Sequence, residues 1–195
     1  GVSGDAQRNQ IYVRLFSDNQ AYLAQAELNF YLGAHTLLSG ETFAIPYAKF
    51  QSIVFNYPKH PDDNFTLGKG LPGMLDFELT EPKGNKIKNF GKVNAISTTL
   101  EDMSLQDIIP VENFAIKEAE LLITYQTFNG LTMNVSLFKH EKDNWLTFSA
   151  NADSKNEKSS EEAGRINKLA SKWVYKVGFK STGGFYYKLA DLLKE

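Results

Sequence analysis

The chain contains no cysteine. This absence excludes disulfides, thiolate zinc sites, iron–sulfur clusters and cysteine nucleophiles, and it is compatible with every cellular compartment. Long hydrophobic runs are lacking as well, because no apolar stretch approaches the roughly 18 residues that span a bilayer. The start of the chain is small and polar, has no Met and shows no signal-peptide pattern. We therefore expect a processed or trimmed chain, in which a missing membrane anchor is not evidence against one.

An excess of charge of one sign is also lacking. Lys and Arg number 21 and Asp and Glu number 23, which gives a formal net charge of −2. This balance argues against a protein held to nucleic acid by its overall field, so we expect no nucleic-acid partner. A local exception is the basic run Lys83, Lys86, Lys88 and Lys92, which can touch phosphate head groups. The favoured interpretation of this run is the solvated start of a helix.

What the chain does contain predicts a mixed α and β structure. Its 195 residues are enough to bury a core without covalent staples. Aromatic residues make up 13%, with 14 Phe and 9 Tyr, which favours a strand-rich chain. Alternating apolar residues predict strands at 11–16, 20–26, 53–57, 65–67, 74–79, 120–127, 131–138 and 144–150.

Apolar residues at steps of three and four predict helices. Two of these helices span 28–38 and 90–103. A third follows a capping box of Ser159 with Glu162, and its apolar face extends to Trp173 and Val174. The last is capped by Thr182 and runs through Leu193.

The order of these elements repeats along the chain. The matching segments are 52–55 with 121–124, 75–79 with 146–150, and 91–97 with 164–170. We therefore predict an α+β fold of duplicated β-β-β-α units, in which antiparallel meanders carry helices packed on one face. The predicted divisions are 1–45 (an N-terminal hairpin and helix that ends an earlier copy), 46–112 (the first unit) and 113–195 (the second unit with an extra C-terminal helix).

Two patterns resemble cofactor or metal sites, and each has a plainer interpretation. Gly68 to Gly73 matches G-x-G-x-x-G, which binds dinucleotides only between a strand and a helix, whereas a strand is predicted after it. The loops around His60 and His140 can bind a divalent cation weakly, but solvated hairpin loops are favoured. His35 is expected to be a partly buried histidine. We therefore expect no cofactor and no metal.

No constellation of catalytic residues stands out. No serine lies in a G-x-S-x-G pattern, and no carboxylate pair is placed for acid–base work. We therefore expect a protein that is not an enzyme, with a hidden polar cluster around His35 or His60 as the alternative. Trp145 and Trp173 are expected to pack together in the core.

Three consecutive aromatic residues, Phe185, Tyr186 and Tyr187, form the candidate contact site. A helix cannot bury three consecutive large side chains on one stripe, so we expect one or two of them to reach a surface groove or a partner.

Several short motifs follow one another over nearly the whole chain. They are Ile11-Tyr12-Val13-Arg14 with Gln20-Ala21-Tyr22-Leu23-Ala24, Ala44-Ile45-Pro46 before Ser52-Ile53-Val54, Leu105-Gln106-Asp107-Ile108-Ile109-Pro110, Phe128-Asn129-Gly130-Leu131-Thr132, Trp145-Leu146-Thr147-Phe148-Ser149-Ala150, and Trp173-Val174-Tyr175-Lys176-Val177 followed by Leu189-Ala190-Asp191-Leu192-Leu193. Together they resemble the bacterial family catalogued as domain of unknown function 4340. The chain departs from that family at Tyr31-Leu32, where the family often has a Trp-Leu pair.

The resemblance implies a location and a class of partner, but no activity and no catalytic residue. Family members typically carry one N-terminal membrane helix and an extracytoplasmic body, and their genes often lie beside those of gliding-motility-type ABC transporters. The resemblance therefore implies an accessory or scaffold protein on the periplasmic face of the inner membrane, with ABC transporter subunits as partners. The alternative is a binding module for a lipid, glycan or peptide, held in a pocket between the two repeats.

Overall fold

The structure is a computed structural model that describes residues 10–13, 20–25, 43–101, 103–115 and 118–194. The chain divides into two compact units, Gly1–Gly33 and Ala34–Glu195. In the first unit β1 (Gln10–Val13) and β2 (Tyr22–Gln25) pair antiparallel, as the sequence predicted for this region. The predicted helix 28–38 and His35 lie outside the described residues.

An eight-stranded sheet forms the centre of the second unit. Its strands are β3 (Phe50–Asn56), β4 (Phe65–Gly68), β5 (Glu78–Glu81), β6 (Leu105–Pro110), β7 (Leu121–Thr127), β8 (Leu131–His140), β9 (Asp143–Ala152) and β10 (Trp173–Val177). They lie in the order β5-β4-β3-β7-β8-β9-β10-β6. Every neighbouring pair is antiparallel, with Val54 of β3 opposite Thr124 of β7.

Helices occupy the connections and the end of the described chain. They are α1 (Phe90–Thr98), α2 (Glu157–Ala170) and α3 (Leu189–Leu192), and a 3₁₀ segment, Phe179–Tyr186, precedes α3. Shorter 3₁₀ turns lie at Tyr47–Lys49, Pro61–Asp63 and Val111–Asn113. The antiparallel sheet and its helices confirm the mixed α and β class.

The main core lies on one face of the sheet. Alternate residues of β8 point into it, and they are Leu131, Met133, Val135 and Leu137. Ile96 of α1 and Ile166 of α2 are fully buried in the same cluster. Both helices therefore cover the same face of the sheet.

A smaller core cluster uses the alternate side chains of the same strands. It contains Phe114, Phe138, Trp145 and Val174, with the rings of Phe114 and Trp145 centred 5.6 Å apart. Trp173, one residue before Val174, packs against the main core instead. The prediction that the two tryptophans pack together is therefore wrong, because successive residues of a strand point to opposite faces.

The start and end of α2 differ from the prediction. Asn156 is the N-cap, and its Oδ1 accepts a hydrogen bond from the backbone N of Ser159 at 3.1 Å. Ser159 instead donates its hydroxyl to the carbonyl oxygen of Asn129, so the predicted capping box is wrong. The helix ends at Ala170, and Trp173 begins β10 rather than extending the helical face.

The boundaries of other helices and strands also differ from the prediction. Thr182 caps no helix, because it lies inside the 3₁₀ segment and donates to the carbonyl oxygen of Gly178. The predicted helix 90–103 ends at Thr98, and the predicted strand 74–79 begins only at Glu78. Strands β6 and β10 were not predicted.

Candidate functional site

The three aromatic residues of the predicted contact site lie at the end of the 3₁₀ segment. Phe185 is buried in the main core, whereas Tyr186 and Tyr187 are half-buried. Gly184 permits this arrangement because a Cβ there would lie 2.5 Å from the carbonyl oxygen of Ala95 in α1. The segment therefore packs directly on α1, and this close approach fixes the position of Tyr186.

Tyr186 borders a surface groove of about 200 Å³, which we call the tyrosine groove. Its floor is apolar and consists of Leu121, Leu137 and Phe185. Its rim consists of Tyr57, His60, Glu120, Lys139, Tyr186 and Lys188. The groove thus joins residues that are up to 131 positions apart in the chain, since Lys188 Nζ lies 6.0 Å from the centre of the Tyr57 ring.

The rim of the tyrosine groove carries charges of both signs. Lys59 Nζ lies 2.8 Å from Glu120 Oε1, and Lys188 Nζ lies 2.6 Å from Asp63 Oδ2. The hydrogen bond from Lys59 lowers the pKa of Glu120, so this carboxylate is ionised at neutral pH. Lys139 Nζ lies 5.9 Å from the centre of the Tyr186 ring, within reach of a cation–π interaction.

Tyr57 links the sheet to the segment that borders the tyrosine groove. Its hydroxyl donates to the carbonyl oxygen of Tyr187 at 2.8 Å, which ties the residue after β3 to the end of the 3₁₀ segment. Burial, reinforced by the carboxylates of Asp63 and Asp191, raises the pKa of Tyr57 far above its usual range. The hydroxyl therefore stays protonated and serves as a fixed donor.

The arrangement of side chains at the tyrosine groove suits binding to the surface of another molecule. It presents aromatic faces, a short apolar floor and paired charges, which together suit a polar surface with its own aromatic or apolar anchor.

Sequence reasoning missed a second exposed feature, formed by the connection between β4 and β5 and by the first residue of α1. Leu71 is 67% exposed, Leu75 61% and Phe90 60%, and Met74 is also exposed. We call these four residues the loop patch. The backbone N of Met74 donates to the carbonyl oxygen of Leu71, and Gly73 adopts a φ of 87° in this turn. The signal in the sequence was three large apolar residues inside a loop of glycine and proline.

A buried lysine holds the base of this loop. Lys69 is 6% exposed, and its Nζ donates to the carbonyl oxygen of Tyr47 at 2.9 Å. The same Nζ lies 4.2 Å from the centre of the Phe77 ring. Burial lowers the pKa of Lys69, opposed by the nearby carboxylates of Asp76 and Glu101. Because Lys69 and Phe77 are both buried, residues 70–76 project as a loop with fixed ends.

The remaining sequence motifs lie in turns and loops. Gly68 ends β4 and the residues after it lead to β5, its antiparallel neighbour, so Gly68 to Gly73 is a hairpin connection as favoured. His60 is exposed at the tyrosine groove, and the ring of His140 is centred 5.4 Å from that of Phe114. Within residues 43–101, 103–115 and 118–194, no three His, Asp or Glu side chains are grouped to hold a metal ion.

Comparisons with known proteins identified no relative of this chain. Neither a scan against protein-family models nor searches of curated proteins and of solved structures found a match to this chain. The family resemblance therefore stays a prediction. None of the described helices is long and apolar enough to cross a membrane.

Proposed function

We propose that this chain is a non-enzymatic accessory or scaffold protein of the bacterial cell envelope that contacts an ABC-type transporter from the extracytoplasmic face of the inner membrane. The tyrosine groove carries this proposal, because it presents Tyr186 beside paired charges, and Tyr187 follows Tyr186 on a backbone held by Tyr57. Aromatic residues within a polar rim are typical of protein contact sites. The ordered motifs that resemble the family supply the location and the partner.

We also propose that the fold arose by duplication of a β-β-β-α unit. Strands β3, β4 and β5 lead into α1, and β7, β8 and β9 lead into α2, each helix capped by an asparagine. The two β-β-β-α repeats differ in the strand that follows the helix. Strand β10, after α2, pairs with β9 of its own repeat, whereas β6, after α1, pairs with β10 at the far side of the sheet. An experimental structure in which α1 and α2 fail to superpose when β3–β5 are placed on β7–β9 would contradict the duplication.

Crosslinking in the native membrane tests the proposed contact. A photoreactive amino acid replaces Tyr187 in the protein expressed from its native gene, and a matched control replaces the exposed Lys142 in the turn between β8 and β9. We expect transporter subunits, identified by mass spectrometry, to crosslink from position 187 and not from position 142. Recovery of no transporter subunit from position 187, while a control complex survives, would overturn the proposal.

The ligand-binding alternative requires a location other than the predicted pocket between the two repeats. Side chains fill the core where β3 of the first repeat pairs with β7 of the second, since the rings of Phe50 and Tyr125 are centred 4.9 Å apart there. A ligand would therefore occupy the tyrosine groove, whose volume of about 200 Å³ is small for a ligand pocket. Adducts of a small molecule rather than a protein at position 187 would favour this alternative.

A further inference from the structure

The side of the eight-stranded sheet opposite the main core carries a regular array of uncharged polar side chains. The array consists of alternate residues on the four central strands β3, β7, β8 and β9, within 52–56, 122–126, 132–136 and 147–151, and we call it the polar face. Ten of its twelve residues are Ser, Thr, Asn or Gln, none is charged, and the other two are Val54 and Leu122. All twelve are half-buried or exposed.

The strand register arranges the polar face as three rows of four residues. One row begins at Ser52 on β3 and ends at Asn151 on β9, and the other two lie beside it. Strand spacing and rise make the array about 14 Å across the strands and about 13 Å along them. In the next row Phe138 lies opposite Trp145, and Phe114 packs on both. The polar face therefore ends at the smaller core cluster.

Two amide side chains of the polar face are held in a fixed orientation. The hydroxyl of Ser52 donates to Gln126 Oε1 at 2.9 Å, and the hydroxyl of Thr124 donates to Asn134 Oδ1 at 3.0 Å. A side-chain amide has two N–H donors in addition to its oxygen, so Gln126 and Asn134 keep these donors for an acceptor outside the sheet. Ser149 lies opposite Asn134, and its side chain makes no hydrogen bond within the part of the chain that the structure describes.

The charges nearest to the polar face lie at its borders. Lys59 pairs with Glu120 beyond the end of β3, and Lys176 of β10 pairs with Asp143 at the start of β9. Asp153 follows β9, and its Oδ1 accepts a hydrogen bond from the backbone N two residues later. The two glutamates of β5 lie two strands away from β3. No cationic or anionic field therefore covers the array itself.

This chemistry distinguishes between classes of occupant. Nucleic acids and anionic membranes are held by lysine and arginine, and the polar face has neither. Stable protein contacts have an apolar centre with aromatic anchors, whereas Val54 and Leu122 are the only apolar residues of the face. A chain of sugars without charge needs no counter-ion, and its hydroxyl groups both donate and accept hydrogen bonds. It therefore matches a flat array of hydroxyl and amide groups.

We propose that the polar face binds an uncharged polysaccharide. The N–H groups of Gln126 and Asn134 donate to oxygens of the sugar chain, and the hydroxyls of the neighbouring serines and threonines exchange hydrogen bonds with sugar hydroxyls. Val54 and Leu122 contact the apolar C–H edges of the sugar rings. The site needs no enclosed pocket, and it is independent of the contact proposed for the tyrosine groove.

Nuclear magnetic resonance of the isotope-labelled chain tests the proposal, with β-linked hexamers of glucose and of N-acetylglucosamine as probes. We expect a neutral hexamer to shift the side-chain amide signals of Gln126 and Asn134, together with backbone signals of 132–136 and 147–151. The hexamer that binds more tightly shows whether acetamido groups contribute, and either result supports the site. A cationic hexamer of glucosamine should bind less tightly than the N-acetylated one, because the face offers no anion to pair with it.

The decisive variant is Asn134→Asp, which keeps an oxygen for the Thr124 hydroxyl but replaces the N–H donors by a negative charge. It should lose about tenfold in affinity for the neutral hexamer. The matched control Asn85→Asp places the same charge at an exposed position between β5 and α1 and should leave binding unchanged. Ser149→Lys, also at an exposed position, should lose about tenfold as well, and it provides the test if Asn134→Asp does not fold.

Absence of shifts with both neutral hexamers, or equal affinities of Asn134→Asp and Asn85→Asp, would overturn the proposal. Crosslinking of a protein from a photoreactive residue at position 149, without binding of either hexamer, would assign the face to a protein partner and overturn it too. Crosslinks from position 187 should persist in Asn134→Asp, so failure of the polysaccharide site and failure of the transporter contact are distinguishable.

Discussion

Among the buried tyrosines that the structure describes, Tyr57 and Tyr175 have a hydrogen-bond partner for the hydroxyl, and Tyr125 has none. Tyr175 donates to the carbonyl oxygen of Leu169 at 2.8 Å. Tyr125 is fully buried against Phe50, and its hydroxyl has no hydrogen-bond partner among the residues that the structure describes. A buried polar group without a partner costs its desolvation energy in full. The two residues therefore respond oppositely to loss of the hydroxyl.

We expect Tyr125→Phe to raise the free energy of unfolding by about 1 kcal/mol, because it removes an unpaired buried hydroxyl. Tyr175→Phe should lower it by about 1 kcal/mol, because the carbonyl of Leu169 loses its donor. Urea titration of both variants beside the unaltered chain measures the difference. A loss of stability in Tyr125→Phe would show that the hydroxyl has a partner in solution.

The ionisation of Tyr175 makes stability depend on alkaline pH. Burial raises the pKa of Tyr175 from 10.0 to about 12. The folded state therefore holds its proton where the unfolded state releases it, so stability is full below pH 10 and falls as the pH rises through about 12. Urea midpoints measured across that range should decline, and Tyr175→Phe should decline less steeply. Parallel declines would assign the effect to other groups, of which Tyr57 and Tyr125 also have raised pKa values.

Among the elements, α2 depends on a single asparagine at its start. Asn156 caps the helix through Oδ1, and its Nδ2 donates to the carbonyl oxygen of Asn129 at 3.0 Å. One side chain thus joins the helix to the hairpin turn between β7 and β8. Neither bond followed from the sequence, since Ser159 and Glu162 offered a more regular capping pattern three residues later.

We expect Asn156→Ala to lower the free energy of unfolding by about 1 kcal/mol through loss of the cap. Asn156→Asp keeps an acceptor oxygen for the backbone N of Ser159 and should restore most of the loss. Thermal and urea unfolding of the two variants check the expectation. If Asp proved no better than Ala, the stabilising contact would be the hydrogen bond from Asn156 Nδ2 to the carbonyl oxygen of Asn129 rather than the cap.

The 3₁₀ segment Phe179–Tyr186 depends on its contact with α1. A side chain at Gly184 would meet both the Thr99 hydroxyl and the Ala95 carbonyl, whereas one at Gly183 would meet nothing within 4 Å. Gly184→Ala should therefore destabilise the protein by about 2 kcal/mol and shift Tyr186 away from the tyrosine groove. Gly183→Ala is the matched control and should leave stability nearly unchanged. Equal effects of the two substitutions, measured by urea unfolding and by tyrosine fluorescence, would contradict a tight contact at Gly184.

The elements that the sequence predicted well are those whose pattern is local. In β7 and in residues 131–137 of β8, buried residues alternate with more exposed ones, and Asn129-Gly130 marks the turn between the two strands. Strands β6 and β10 were missed because their pairing is distant, with Tyr175 opposite Ile108. The run Trp173–Val177 buries residues on both faces of the sheet, so it shows no alternation that could separate it from the helix before it.

The candidate site shows the same limit. Phe185, Tyr186 and Tyr187 stood out in the sequence because three adjacent rings cannot share one buried stripe. Their neighbours at the tyrosine groove, such as Tyr57 and Lys139, come from distant strands, and nothing local links them. For Leu71, Met74 and Leu75 of the loop patch, the signal lay only in the surrounding glycine and proline, since their own composition is that of a core segment.

At the scale of the whole eight-stranded sheet, the first predicted repeat places one strand, β6, on the far side of the second repeat. Segment 46–112 contributes both edges of the sheet, β5 and β6, while every strand of segment 113–195 lies between strands on both sides. We expect neither segment expressed alone to show cooperative unfolding, and co-expression of the two to restore it, as read by circular dichroism during heating. Cooperative melting of either segment alone would contradict this interdependence.

The position of β6 has a consequence for the order of events during synthesis. A ribosome releases β3 and β6 well before their partners β7 and β10, and the sheet is complete only when Val177 has emerged. Until then, the emerging chain displays unpaired strand edges, which are prone to pair with other chains. A cell that makes this protein must therefore shield roughly the first half of it until the second half arrives, and a translational pause shortly before β10 would favour aggregation over folding.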